Sequence, residues 1–153
     1  MLDGKVALVT GAVAGIGRAI AAAYADAGAT VMVTDIDTGA AEAVAKEITD
    51  GGGTAASAHL DTTEPDQHEA VIAQVEERFG RLDIAANNAG VTVPATPTAE
   101  LPIEQWQKVR NVDLDGVFYG VRAQIPALLR AGGGVIITAG VPAEKRGRAF
   151  SVN

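Results

Sequence analysis

Three glycines, at positions 11, 15 and 17, follow the apolar run Val6–Thr10, and two carboxylates, Asp35 and Asp61, close later apolar runs. The turn Asn87-Asn88-Ala89-Gly90 closes a further one. Such a set could hold a ligand carrying phosphates and hydroxyls, because glycine backbone approaches phosphate closely and carboxylates accept hydrogen bonds from sugar hydroxyls. In a strand–turn–helix, Gly11 takes a φ that side chains resist, Gly15 lets backbone approach the ligand, and Gly17 lets helix and sheet pack closely. The helix beyond the turn directs free N–H groups and its positive dipole end back at it, so a pyrophosphate can sit there without a dedicated cation. The same glycines also fit a purely structural strand-to-helix turn.

Asp35 follows Gly17 by 18 residues, close to the about 20 at which a second-strand carboxylate meets an adenosine ribose. Its charge would repel a 2′-phosphate, which favours NAD over NADP. Val13 and Ala14 in the turn are apolar, and the first basic residue after Asp35 is Lys46. The alternative is that Asp35 or Asp37 begins a turn or caps the following helix. Asp61 would accept from an adenine amino group, or start the turn before Pro65. Ile36 and Thr62 adjoin the two carboxylates and are grouped with them as candidate cofactor contacts. Asn87 and Asn88 at a strand end can hold neighbouring backbone through their amides, and Gly90 permits close cofactor approach; an ordinary Asn-rich turn is the other reading. His59 and His68 are the only histidines. Neither belongs to a ligand-like cluster, so a core or surface role is expected and no metal site.

To be brought together, these residues need strands ending in turns and helices returning the chain. The patterns predict helices over 16–27, 39–49 and 65–79, and strands over 29–35, 54–60, within 82–90 and over 135–138. A long helix is predicted over 102–130, opened by Pro102 and Glu104. Its apolar surface runs from Trp106 through Leu114, Phe118 and Ile125 to Leu129, and Pro126 should kink or break its last turn. The order βαβαβαβαβ argues a parallel doubly wound α/β sheet in one domain over 1–153.

Composition narrows the partners. With 12 basic against 19 acidic residues and no large Lys/Arg cluster, nucleic acid and anionic membranes are poor candidates. The absence of cysteine excludes disulfide and thiol chemistry, so redox work would need a borrowed cofactor. No run approaches the about 18 apolar residues of a membrane span, and the N-terminus lacks a basic n-region, so a cytoplasmic protein is expected.

With these residues laid out, the chain resembles the short-chain dehydrogenase/reductase family. The match rests on Thr10-Gly11, Gly15-Ile16-Gly17, Asp35, Asp61, Asn87-Asn88-Ala89-Gly90 and Asn111-Val112-Asp113-Leu114. The resemblance implies a Rossmann sheet ordered 3-2-1-4-5, NAD across the strand C-termini with Asn88, Ala89 and Gly90 among its contacts, and hydride exchange with a secondary alcohol or ketone. It also implies a homo-oligomer with the long helix at an interface.

The family's chemistry uses an Asn in the long helix, a Ser after strand five, and a Tyr and Lys spaced YxxxK. A phenol with pKa about 10 is a poor base near neutrality, and a nearby ammonium lowers it while the Ser hydroxyl holds the substrate oxygen. Asn111 matches. Gly140 stands about where Ser is expected, leaving Thr138 as the one nearby hydroxyl, and it could point into the sheet. In Ala149-Phe150-Ser151-Val152-Asn153, Phe150 takes the Tyr position, and the sequence stops one residue before the Lys. The charged run 144–148 reads as a solvated loop. The expectation is an oxidoreductase by lineage, truncated ahead of the family's last strands and inactive as this chain, with strand five an exposed edge that invites association. A non-catalytic NAD-binding module, or a truncated product with no function of its own, are the alternatives.

Overall fold

A computed structural model describes residues 1–139; Gly140, the 144–148 run and Phe150 lie outside the described residues. Five strands, β1 (Val6–Thr10), β2 (Thr30–Asp35), β3 (Thr54–His59), β4 (Ile84–Asn87) and β5 (Val135–Thr138), form one sheet. Its order is β3-β2-β1-β4-β5 and every pairing is parallel, the doubly wound arrangement expected from the alternation of elements. Helices α1 (Gly15–Asp26), α2 (Thr38–Asp50), α3 (Pro65–Phe79), α4 (Ile103–Arg110) and α5 (Gly116–Arg130) return the chain between strands.

The period of two in the strands divides the core between the faces of the sheet. Leu8, Met32 and Leu60 pack with Val71, Ile72 and Val75 of α3 and with Ala127 and Leu128 of α5. Val9, Val31 and Val33 pack with Ala21 of α1 and with Ala41, Val44 and Ala45 of α2. A β1 buried along its whole length fits a central strand covered on both sides.

Local signals fix the ends. Pro65 occupies the first turn of α3, and Gly80 closes that helix in the left-handed region at φ +79°, where glycine carries no Cβ penalty. Asp37 caps α2, its Oδ1 accepting from the Ala40 N–H at 3.0 Å.

The long segment ends at Arg130 as expected, and Pro126 does not break its last turn. Pro126 removes one helical donor, but it and Arg122, whose carbonyl loses that donor, are both on the exposed side, where water can take the acceptor. The irregularity lies earlier: Asn111–Asp115 is a π-turn, closed by the Gly116 N–H donating to the Asn111 carbonyl. Trp106, which could serve the core or an interface, is exposed.

Candidate functional site

The site begins where β1 ends. Thr10 is buried, and its Oγ1 accepts from the N–H groups of Asn88 and Ala89, both at 3.0 Å. Asn88 returns the contact: its Nδ2 donates to the carbonyls of Thr10 at 3.1 Å and Gly11 at 3.0 Å. Four hydrogen bonds therefore clamp the turn after β4 to the turn after β1. Gly11 has φ +61°, and a Cβ there would stand 2.8 Å from the Ala89 Cα. A Cβ on Gly17 would run into the Gly11 carbonyl oxygen and Asn88 Nδ2. Gly15 differs, with φ +50° and open space where its Cβ would be. Two glycines thus permit close packing and the third leaves the mouth of the turn clear.

At that mouth α1 starts without a side-chain cap: Ala14 is the N-cap and the first turn has no acidic residue. The first N–H groups of a helix have no intrahelical acceptor, so this end offers donors and a positive dipole to an anion. Ile16 is exposed beside them.

A cleft opens outside the C-terminal ends of β1 to β4. Gly11, Asp35, Ile36, Asp61, Thr62, Ala89 and Gly90 line it, joined by Leu60, Val91 and Val112. Asp35 ends β2, and its Oδ1 accepts from the Asp37 N–H at 3.1 Å. It is thus both a turn former and a cleft residue, while Asp37 takes the capping role. Asp61 is similar: its Oδ1 accepts from the Thr63 N–H at 2.9 Å and hydroxyl at 2.7 Å, and Oδ2 has no protein partner among the described residues. Thr62 is held from below, its carbonyl oxygen 3.0 Å from His68 Nε2. Burial lowers the His68 pKa, against the Thr62 hydrogen bond and the Asp61 charge, which raise it.

Among the described residues the Asn87 side chain does not hold backbone. Its amide pairs with Gln124 of α5, Nδ2 donating at 2.9 Å and Oδ1 accepting at 2.7 Å, and both residues are buried. Asp113 of the π-turn accepts from the Val91 N–H at 2.8 Å and so fixes the segment after Gly90. Neither Gln124 nor, beyond its place in a motif, Asp113 was expected to act here; for Gln124 the available signal was a lone polar residue on an apolar helix face, with Val121, Ala127 and Leu128 as its neighbours. Of the expected catalytic residues, Asn111 and Thr138 are not among those lining the cleft. Asn111 opens the π-turn with its Oδ1 accepting from Arg110 at 3.0 Å. Thr138 ends β5 opposite Asn87 and is exposed rather than turned into the sheet.

The sheet order, the clamped glycine turn and a cleft at the strand C-termini define an α/β protein of Rossmann type; open sheets of this kind in general take ligands at the strand C-termini. The chain belongs to the short chain dehydrogenase family, whose model matches residues 5–152. It is 43% identical over 135 residues to a cyclohexanol dehydrogenase of Acinetobacter sp. (strain SE19), covering 88% of this chain and 54% of that one. A D-threitol dehydrogenase of Mycolicibacterium smegmatis (strain ATCC 700084 / mc(2)155) is 40% identical over 136 residues, 89% of this chain and 52% of the relative. The crystal structure of a short-chain type dehydrogenase/reductase from Mycobacterium marinum superposes with a TM-score of 0.85 at 40% identity, over 90% of this chain and 56% of that one. The chain spans about half the length of the curated relatives it matches. Among the described residues no helix is long and apolar enough to cross a membrane.

Proposed function

We propose that the chain binds NAD(H) in the cleft and carries the cofactor half of an oxidoreductase that exchanges hydride with a secondary alcohol or ketone. The observation that carries this reading is the meeting of Gly11, Asp35, Asp61 and Ala89-Gly90 around one cleft beside an uncapped helix start. The open side of Gly15 and the free Oδ2 of Asp61 fit a dinucleotide. The α1 N–H groups and the Gly15 backbone would hold the pyrophosphate, Asp35 the adenosine ribose, and Asp61 the adenine amino group. Ile16 and Ile36 would flank the adenosine half, and Gly90 would leave room for the nicotinamide side. When bound, the nicotinamide supplies the hydride acceptor or donor. The Asp35 carboxylate favours NAD over NADP, since a 2′-phosphate would meet a like charge.

Dehydrogenases among the relatives support the alcohol or ketone as substrate class. Asn111 and Thr138 would serve the proton path and the substrate oxygen, and Phe150 stands at the family's tyrosine position. Phenylalanine has no proton to exchange, so a polypeptide of this sequence alone lacks a contribution worth about 10² to 10⁴-fold. The exposed apolar side of α5 supports a homo-oligomer.

Calorimetric titration with NADH and NADPH tests the reading. Saturable binding that prefers NADH is the expected result, with no NAD-dependent oxidation of simple secondary alcohols at ordinary enzymatic rates. A folded chain that binds neither nucleotide would overturn the cofactor assignment. Ready turnover would overturn the inactivity.

A further inference from the structure

His68 is buried to 3% exposure in the first turn of α3, under the loop that carries Asp61 and Thr62. Its Nε2 lies 3.0 Å from the Thr62 carbonyl oxygen, an acceptor, so Nε2 carries the hydrogen. The neighbouring Gln67 accepts from the Asp61 N–H at 2.8 Å. The first turn of α3 therefore grips the 61–63 turn at two points, and the Asp61 Oδ1 bonds to Thr63 close it internally.

The other side of this assembly is α5, through two glycines spaced i, i+4 on one face. A Cβ on Gly116 would stand 2.9 Å from the Thr62 carbonyl oxygen. One on Gly120 would stand 3.4 Å from His68 Cε1 and 3.0 Å from Asn87 Oδ1. The absence of both side chains is what lets α5 close over the imidazole. The seam between Thr10, Thr62, His68, Asn87, Ala89 and Gly116 has no room for a water molecule. A Thr62 carbonyl released by His68 would find no substitute donor there, and a buried unpaired acceptor is costly enough to move the turn.

We propose that His68 is a positioning residue for the adenine end of the cofactor: it fixes the Thr62 carbonyl, and through the 61–63 turn it aims the free oxygen of Asp61 into the cleft. The inference rests on the dinucleotide reading of that cleft. It assigns a role to a buried imidazole that touches neither the cofactor nor the substrate. The contact it governs is with ADP, the half of the dinucleotide that Asp35 and Asp61 would meet.

The test is calorimetric titration of ADP and NADH into the wild-type chain and into His68→Leu, His68→Met and His68→Gln. Loss of the donor in the Leu and Met variants should weaken ADP binding about tenfold, and Gln, whose amide can donate to Thr62, should restore it to within about twofold. Val75→Ala, a core truncation in the same helix, should lower the melting temperature while leaving ADP affinity unchanged. Amide exchange at 61–63 should quicken in the donor-free variants and return to the wild-type rate with Gln. In the wild-type protein the His68 Nε2–H resonance should shift on saturation with ADP, a readout that does not depend on any variant folding. Unchanged ADP affinity in a folded donor-free variant, a loss that Gln fails to restore, or an unmoved resonance each overturns the positioning role alone. A wild-type chain that binds neither ADP nor NADH overturns the dinucleotide reading and this inference with it.

Discussion

Asp83 is nearly fully buried at the end of the sheet away from the cleft, where a carboxylate needs compensation. Its Oδ2 accepts from the Val6 N–H at 3.0 Å and Arg81 Nε at 2.8 Å, and its Oδ1 from Arg81 at 2.6 Å and Lys5 at 3.1 Å. Burial pushes its pKa up, but Arg81, the Val6 amide and Lys5 outweigh that and hold it below the usual carboxylate range. Both cations are themselves substantially exposed, so solvent screens part of their attraction. With the folded value depressed, the unfolded chain binds the proton first as pH falls below about 4, and the stabilisation is lost through the folded pKa. Asp83→Asn should cost about 1–3 kcal/mol at pH 7 and flatten the acid limb of a stability-against-pH curve measured by urea unfolding. An unaltered acid limb would show that this cluster contributes nothing to acid sensitivity.

Among the elements, the junction of β1, α1 and β4 has the tightest geometry. Gly17 sits in the first turn of α1, where a methyl group would collide with the Gly11 carbonyl and the Asn88 amide that clamps it. Backbone on one side and a doubly bonded side chain on the other leave little that can yield. Gly17→Ala should therefore cost about 1–3 kcal/mol by overpacking, with NADH binding lost along with the clamp; thermal melting and titration of the same sample check both. Gly15→Ala separates the two effects. Its Cβ meets open space, so the strain is confined to its positive φ and to the path of a bound phosphate. The π-turn belongs to the same scale, because it delivers Asp113 to the Val91 amide and Gly116 to the Thr62 carbonyl.

Across the whole molecule the apolar surface is unevenly covered. Leu128 is buried under α5, yet Phe118 on the same helix is 62% exposed and Leu129 is 70% exposed. Val135 and Ile137 of β5 are exposed as well, and among the described residues β5 pairs only with β4. An edge strand beside exposed aromatic and aliphatic side chains favours association. Light scattering at micromolar concentration should report an assembly larger than a monomer, and the double substitution Phe118→Glu, Leu129→Glu should shift it toward monomer. A clean wild-type monomer would contradict the homo-oligomer.

The kind and order of the elements were legible in the sequence, because those rest on local physics. Period-two apolar runs, Pro65 at a helix start and Gly80 at a helix end need no distant partner to be read, and α3 and β5 carry the predicted ends. The sequence also marks which residues stand at the strand C-termini, and so Gly11, Asp35, Asp61 and Gly90 were legible as one set. Pairings between residues far apart in the chain came with the packed fold: Thr10 with Asn88, Asn87 with Gln124, Thr62 with His68 and Gly116. Nothing periodic records that Asn88 would clamp while Asn87 turned to α5, or that Asp37 rather than Asp35 would cap α2. The same holds for the π-turn, whose bond from Gly116 to Asn111 interrupts a helix that local propensity continues. These choices follow from which side chains meet when the sheet closes against its helices, a property of the packed fold and of no single segment.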